Sequence, residues 1–250
     1  LKYKKTKNKY LNDYEEFKKY MKYGGMPSTF DFEEVEKIQY LQDLYNSIVF
    51  NDIVKRNKIR DVDLLDRIMQ FLIANTGQLF SANSIVKYLK KDRIKVSVNT
   101  IYNYISYTEE ACLVNKIKRE NLQGKKILNH AEKYYLVDLG FRQVIYGESD
   151  QGQLLENIVY NELLRRGYKI TIGKFKEKEV DFVCKKQNKT IYIQVSVFLS
   201  EESAIKREFE PLINIKDNYP KYVISLDDFN ISKKGIIHLN IIDFLKSDII

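Results

Sequence analysis

The stretch Glu179-Val180-Asp181-Phe182-Val183-Cys184 and, soon after it, Thr190-Ile191-Tyr192-Ile193-Gln194-Val195-Ser196 decide the fold of the last part of the chain. Both are rich in β-branched and aromatic residues, which favour β-strands. Each also carries one polar residue inside its apolar run, Asp181 in the first and Gln194 in the second. A purely hydrophobic core does not need these two residues, so both are candidates for a functional role.

Outward from these two strands, the apolar periodicity predicts the order helix, strand, strand, strand, helix, strand over residues 141–250. The first helix carries Glu156 on an otherwise apolar face and ends at Gly167, a residue that favours helix termination. The predicted elements are a helix at 152–166, strands at 168–172, 179–185 and 190–198, a helix at 201–215, and strands at 221–226 and 235–239.

The residues before this region are predicted to be mostly helical, with helices over 8–23, 31–57 and 63–74. A further helix follows at 81–89, and Ser97 can cap another over 97–111. Strand character at 113–120 and 134–137 then gives three helices followed by a two-stranded wing, which is the order of a winged helix. We therefore predict an α+β protein with a helical segment at 1–60, a winged-helix domain at 61–140, and an α/β domain with an αβββαβ core at 141–250.

In winged-helix proteins the third helix usually enters the major groove of DNA. Its exposed face would here offer Asn99, Thr100 and Asn103, whose side chains can read base edges. The cations expected to contact phosphates are Lys90, Lys91, Arg93 and Lys95 before the helix, with Lys125 and Lys126 at the tip of the wing. Winged helices also serve as protein-interaction modules, so these lysines could equally form a solvated turn.

The charge distribution favours an anionic partner, with duplex DNA as the expected one. The net charge is +8, and residues 1–60 and 61–140 contain 13 and 12 Lys and Arg against 9 Asp and Glu each. Residues 141–250 are nearly neutral, with 17 against 16. A basic half is typical of nucleic-acid binding, although lysine-rich surfaces also serve solubility and arise from low-GC genomes.

The αβββαβ order, with Glu156 on its first helix and Asp181 on its second strand, resembles the core of PD-(D/E)XK nucleases. The resemblance implies that Glu156 and Asp181 bind Mg²⁺ or Mn²⁺, which would activate water. The third-strand motif departs from the family at both chemical positions, because Gln194 replaces an acid and Ser196 replaces a lysine. Glu179 could supply a missing carboxylate. We therefore expect a nuclease fold without cleavage activity, with an active metal-dependent nuclease as the alternative, so whether the chain is an enzyme stays open.

Several motifs extend the resemblance to nearly the whole chain. These are Tyr23-Gly24-Gly25-Met26-Pro27, Asn51-Asp52-Ile53-Val54-Lys55-Arg56, Thr100-Ile101-Tyr102-Asn103-Tyr104, Tyr135-Leu136-Val137-Asp138-Leu139-Gly140 and Leu155-Glu156-Asn157-Ile158-Val159-Tyr160. Together they are similar to the carboxyl-terminal region of prokaryotic AAA-type ATP-binding proteins, a domain of unknown function.

This second resemblance implies a preceding ATPase module that binds ATP and acts as a partner of this region. The chain itself has no GxxxxGK[ST] loop and begins without Met, so we expect a piece of a longer protein. A homo-oligomer is compatible with this expectation. A third reading, beside DNA binding and nuclease activity, is a protein-interaction adaptor of the ATPase, to which the 19 tyrosines are suited.

Two further features bear on location. Cys112 and Cys184 lie too far apart for a metal knuckle or a disulfide framework, which fits a reducing cytoplasm. The sequence has no apolar run of the ~20 residues that a membrane helix needs. The two histidines, His130 and His238, are isolated in the sequence and are expected to be structural or exposed.

Overall fold

A computed structural model describes residues 13–124, 126–147, 150–247 and 250 of the chain. These residues divide into two compact units. The described residues of 1–19, 118–129 and 151–250 form the first unit, here called the sheet unit, and those of 20–117 and 130–150 form the second, the helical unit. The sequence predicted three consecutive parts, and that division stays a prediction.

The helical unit contains the elements that the sequence predicted between residues 20 and 111. They are α1 (Asp13–Tyr23, which begins in the sheet unit), α2 (Glu34–Ser47), α3 (Val62–Ala74), α4 (Ala82–Lys91) and α5 (Val98–Glu110). The unit also contains α6 (Gly140–Tyr146), which the sequence did not predict. Residues 8–12 of the first predicted helix lie outside the described residues. The core of this unit is apolar, with Leu65, Ile68, Ile85 and Ile101 fully buried.

The predicted single helix over 31–57 is in fact two elements. It begins at Glu34, where the side chains of Glu33 and Glu36 form a capping box, and continues from Ser47 into a π-helical segment, Ile48–Lys55. A π-helix has one more residue per hydrogen-bonded turn than an α-helix, which apolar periodicity does not reveal.

Side-chain caps fix where α3, α4 and α5 begin. Asp61 accepts the Leu64 N–H at 2.9 Å, Ser81 and Ser84 form a capping box, and Ser97 accepts the Thr100 N–H at 3.0 Å, as the sequence predicted for α5. Each cap satisfies a backbone donor that the helix itself leaves without a partner.

Two glycine motifs that are far apart in the sequence meet at Asp138, a buried residue. Its carboxylate accepts the N–H of Gly25 and that of Gly140, both at 2.8 Å. Burial raises the pKa of Asp138, against the opposing effect of these two hydrogen bonds. A Cβ on Gly24, which has a φ of +73°, would lie 1.8 Å from the Asp138 carboxylate, so glycine is required there.

Among the described residues, seven strands form one mixed sheet in the order β2-β1-β3-β4-β5-β6-β7. The strands are β1 (Val114–Asn121), β2 (Lys126–Leu136), β3 (Lys169–Phe175), β4 (Lys178–Lys186), β5 (Lys189–Val195), β6 (Lys221–Ser225) and β7 (Ile236–Asn240). The second wing strand is therefore much longer than the predicted 134–137. Pairing is parallel for β1 with β3, antiparallel from β3 to β5, and parallel from β5 to β7.

Helices cover both faces of the sheet within the sheet unit. α7 (Gln151–Arg165) packs on one face, where Tyr160 contacts Phe182. α8 (Glu202–Asn214) packs on the other, where Phe209 and Leu212 join Val183 in an apolar core. The elements from α7 to β6 follow the predicted α, β, β, β, α, β order, and β7 and α9 (Ile241–Lys246) come after them.

These observations confirm the α+β class. Three helices followed by two strands and the αβββαβ order are both present, while their assignment as a winged helix and a nuclease core stays a prediction. No helix in the described part of the chain is long and apolar enough to cross a membrane.

Candidate nucleic-acid interface and nuclease-like site

The end of α4 and the turn before α5 carry the cations that the sequence singled out. The side chains of Lys90, Lys91, Arg93 and Lys95 are all exposed to solvent. Within the described ranges, none of the four forms an ion pair with an acidic side chain. The acid within this turn, Asp92, instead pairs with Arg67 on α3 at 3.0 Å. The turn therefore presents positive charge that its own acid does not neutralise.

Arg93 holds an unusual backbone position at the end of α4. Its N–H donates to the Lys90 carbonyl and the Ile94 N–H donates to the Leu89 carbonyl, which is the pattern of a Schellman motif. Arg93 has the left-handed φ of +62° that this motif favours for glycine. A non-glycine residue in this conformation costs roughly 1–2 kcal/mol, so glycine would be more stable at this position.

The exposed face of α5 matches the predicted reading face in part. Asn99 and Asn103 are exposed, and Tyr102 beside them is 45% exposed. Thr100 is half-buried, and its hydroxyl lies 2.9 Å from that of Ser97 in the helix cap. Among the described residues the amides of Asn99 and Asn103 have no hydrogen-bond partner, whereas Thr100 is engaged in the cap.

Sequence reasoning missed two exposed side chains on α4, Lys87 and Tyr88. Lys87 lies three residues before Lys90 and four before Lys91, so helical spacing places all three on one side of α4. That spacing was the signal that could have identified Lys87.

The structure describes one of the two cations predicted at the tip of the wing. Lys126 begins β2, is exposed and belongs to the sheet unit. Lys125 lies outside the described residues. The turn itself is held by Asn121, whose Oδ1 accepts the N–H of Gln123 at 3.0 Å and that of Gly124 at 3.4 Å.

The structure brings Asp181 and Gln194 together where β4 and β5 cease to pair. The Asp181 N–H donates to the Gln194 side-chain oxygen at 3.2 Å, and the Val195 N–H donates to the Asp181 carboxylate at 2.8 Å. Both side chains are buried, each 8% exposed. The side-chain oxygens of Asp181 and Gln194 therefore accept backbone N–H groups just beyond the regular pairing of β4 with β5, which ends at Phe182 and Ile193.

A β-bulge interrupts β4 at the same place. Val183 pairs with Thr171 and Val180 pairs with Gly173, so two residues of β4 between these pairs lie opposite one residue of β3. The bulge breaks the alternation of side chains along β4, since Val180 and Val183 are three residues apart and lie in one apolar cluster. Bulges are common next to active sites, and this one includes Asp181.

The other predicted members of the nuclease-like site are Glu179 and Glu156, with Ser196 at the lysine position of the motif. The Glu179 carboxylate is 4.0 Å from the Arg119 guanidinium, and Glu156 is half-buried on α7. The Ser196 hydroxyl donates to the Phe198 carbonyl at 3.2 Å. Across the described residues, no three His, Cys, Asp or Glu side chains are grouped so that they could hold a metal ion.

His238 lies in a buried polar network that the sequence did not predict. Its Nε2 is 2.8 Å from the Ser225 hydroxyl, which donates to the Asp227 carboxylate at 2.7 Å. Burial lowers the pKa of His238. The Ser225 side chain is fully buried, so this network ties β6 to β7 and offers no accessible nucleophile. The side chain of His130 is not described.

Comparison with known proteins gives two family matches. Residues 14–152 match a domain of unknown function, DUF8612, and residues 151–244 match a second one, DUF4143. An uncharacterized protein of Haemophilus influenzae is 37% identical over 211 residues, which are 84% of this chain and 52% of that protein. An uncharacterized protein of Methanocaldococcus jannaschii is 30% identical over 235 residues, 90% of this chain and 51% of that protein. The chain thus spans about half the length of these curated relatives.

Proposed function

We propose a function for this chain as a member of the DUF8612 family, to which it belongs through residues 14–152. It is the DNA-binding region of a longer ATP-binding protein, and it contacts duplex DNA through the end of α4, the following turn and the exposed face of α5. Its sheet unit, which carries the nuclease-like site, contributes to the structure without cleaving nucleic acid.

The observation that carries this proposal is the row of exposed cations at the end of α4. Lys87, Lys90, Lys91, Arg93 and Lys95 lie within nine residues, and no acidic side chain in the described part of the chain pairs with them. Lysine and arginine contacts to phosphates supply most of the non-specific affinity of DNA-binding proteins.

The next helix supplies groups suited to reading bases. Asn99 and Asn103 are exposed and lie four residues apart, so their amides project from the same side of α5. An asparagine amide can pair with the N6 and N7 atoms of adenine in the major groove. We therefore expect weak sequence preference added to an affinity that depends mainly on phosphate contacts.

A lack of cleavage is supported by the state of the polar groups near Asp181. The Gln194 oxygen accepts a backbone N–H, and the Ser196 hydroxyl donates to a backbone carbonyl. A lysine that could position or deprotonate water is missing from position 196. An amide and a hydroxyl bind Mg²⁺ less strongly than carboxylates and cannot replace the lysine charge.

The proposal extends to the longer protein because the match covers only about half of each of these relatives, 52% and 51%. An ATPase module with its own phosphate-binding loop is expected in the remaining half, as the resemblance to AAA-type ATP-binding proteins implies. That module would be the intramolecular partner of this region, and ATP its ligand.

The proposal is tested by the fluorescence anisotropy of a labelled duplex titrated with the chain in EDTA at several salt concentrations. The wild-type affinity is expected to fall steeply with salt, with a log–log slope of about 0.9 per phosphate contact. The triple variant Lys90→Glu, Lys91→Glu, Lys95→Glu is expected to bind at least about a hundredfold more weakly at low salt and with a shallower slope.

The matched control reverses three exposed lysines elsewhere, Lys206, Lys216 and Lys234. It changes the net charge of the protein by the same amount and is expected to retain most of the affinity. Equal losses in both triple variants would show that only net charge matters, and no binding by the wild type at low salt would refute DNA binding.

A further inference from the structure

One acid interrupts the row of exposed cations on the proposed DNA surface. Asp92 follows the last residue of α4 and lies between Lys91 and Arg93 in the turn. The Cα atoms of Lys90 and Lys95 can lie no more than about 11 Å from that of Asp92, because so few residues separate them. The Debye length at 0.1 M salt is about 10 Å, so an unpaired carboxylate here would repel the phosphates that these cations attract.

The Asp92 carboxylate is paired with a cation from another helix. Arg67 on α3 donates from Nη1 to Oδ2 of Asp92 at 3.0 Å, across 25 residues of sequence. Asp63 lies four residues before Arg67, which is the usual spacing for an ion pair within a helix. Among the residues that the structure describes, the Arg67 guanidinium nevertheless pairs with Asp92 and with no other acid.

The effect of this ion pair on stability is expected to be small. The side chains of Arg67 and Asp92 are 47% and 49% exposed, and ion pairs so open to solvent contribute little to folding. The end of a helix also favours cations over an acid such as Asp92. The main consequence of the pair is therefore electrostatic, because it leaves no unpaired carboxylate among the cations of the turn.

We propose that Arg67 is a positioning residue of the DNA surface, which neutralises Asp92 and holds its carboxylate so that the turn after α4 binds duplex DNA without local repulsion. Arg67 acts through Asp92 and requires no contact of its own with DNA. The inference rests on the proposed function, since it concerns affinity for the same duplex. It adds α3 to the elements that determine this affinity.

The direct test is the affinity of variants for the labelled duplex, measured by fluorescence anisotropy at low salt in EDTA. Arg67→Gln leaves Asp92 unpaired and is expected to bind about threefold to tenfold more weakly. Arg67→Lys keeps the charge and, because the contact is a single hydrogen bond, should bind within about twofold of the wild type. Wild-type affinity of Arg67→Gln would overturn the proposal.

A second substitution separates neutralisation of Asp92 from direct contact with DNA. In the double variant Arg67→Gln, Asp92→Asn the repelling charge is gone, so the affinity is expected to return to within about twofold of the wild type. If Arg67 itself bound a phosphate, this double variant would stay as weak as Arg67→Gln, and the proposal would be wrong.

The matched control neutralises an exposed acid elsewhere, Asp243 on α9 in the sheet unit. The double variant Arg67→Gln, Asp243→Asn has the same net charge as the first double variant and is expected to remain as weak as Arg67→Gln. Equal recovery in the two double variants would show that net charge alone sets the affinity, which contradicts a specific role of the pair.

Thermal unfolding separates a change of charge from misfolding. Because the pair is half exposed, the melting temperature of Arg67→Gln should lie within about 4 °C of that of the wild type. A larger fall that accompanies the loss of affinity would assign Arg67 a structural role instead and overturn the proposal.

Failure of the proposed function gives a different result. The wild type would then not bind the duplex at low salt, and the inference would fall with it. Failure of the inference alone leaves the wild type with its salt-dependent affinity, while Asp92→Asn does not restore the binding of Arg67→Gln or Arg67→Gln shows no loss to restore.

Discussion

The turn after α4 and the corner around Asp181 both carry polar residues that stand out in the sequence. These residues are exposed in the turn and buried in the corner. Lys90, Lys91 and Arg93 extend into solvent without an acidic partner in the described ranges. Asp181 and Gln194 are buried, and their oxygens accept backbone N–H groups.

This difference shows how to distinguish polar residues that stabilise the fold from polar residues that are available to a partner. A buried polar group that is fully hydrogen-bonded stabilises the fold, and removing it leaves its partner unsatisfied. An exposed row of like charges contributes little to stability and is available to a partner. Variants of the first kind should change stability alone, and variants of the second kind should change binding.

The largest effect on stability is expected at Asp138, which joins two glycine motifs in the helical unit. Asp138→Ala leaves the partly buried N–H of Gly25 and the buried N–H of Gly140 without an acceptor, at about 1–3 kcal/mol for each. The free energy of unfolding should therefore fall by about 2–5 kcal/mol in urea titrations. A loss below about 0.5 kcal/mol would contradict the role of Asp138 as the link.

The pH dependence of this residue supplies a control. Burial raises the folded-state pKa of Asp138 above its usual value of 3.8, so between the two values the folded state binds more protons than the unfolded state. This group therefore makes the protein less stable as the pH rises through that window. Asp138→Asn keeps an acceptor oxygen and should lack this contribution, which a comparison of urea titrations at pH 4 to 7 would detect.

A smaller effect is expected at Asp181. Asp181→Ala removes the acceptor of the partly buried Val195 N–H and should cost about 1–3 kcal/mol of unfolding free energy, with unchanged affinity for duplex DNA. Asp181→Asn keeps an oxygen for this N–H and should cost less. A variant that folds as well as the wild type but no longer nicks plasmid DNA in Mg²⁺ would instead establish the nuclease alternative.

The smallest effect is expected at Arg93, where stability and binding should move in opposite directions. Arg93→Gly relieves a left-handed backbone and should raise the unfolding free energy by about 1 kcal/mol, while the loss of its charge weakens DNA binding. Lys234→Gly is the matched control, since Lys234 is also exposed and has a φ of +52°.

The control should gain stability without losing affinity for DNA. If the affinity of Arg93→Gly equals that of the wild type, Arg93 is not part of the interface.

The sequence was sufficient for most of the order of elements, because apolar periodicity alone distinguishes the helices before residue 111 from most of the strands after it. The short helix α6 was not predicted. The caps of α3 to α5 follow from short-range chemistry, and Ser97 was identified in this way. The π-helical segment at Ile48–Lys55 and the bulge in β4 could not be predicted, since both depend on hydrogen-bond register rather than on residue type.

The candidate surface was partly predictable from the sequence. The exposure of Lys90 and Lys91 follows from helical spacing, whereas the engagement of Thr100 with Ser97 depends on cap geometry. The pairing of Glu120 with Lys185 joins residues 65 apart in the sequence. It arises only because β1 pairs with β3, a contact that no local pattern encodes.

The central claim is that the α4 and α5 surface, and not the Asp181 corner, meets DNA. Hydrogen–deuterium exchange of the chain with and without a saturating duplex tests it most directly. The account predicts slower exchange on DNA binding within residues 87–103 and no change within 179–196. Slower exchange confined to residues 179–196, with 87–103 unchanged, would contradict it.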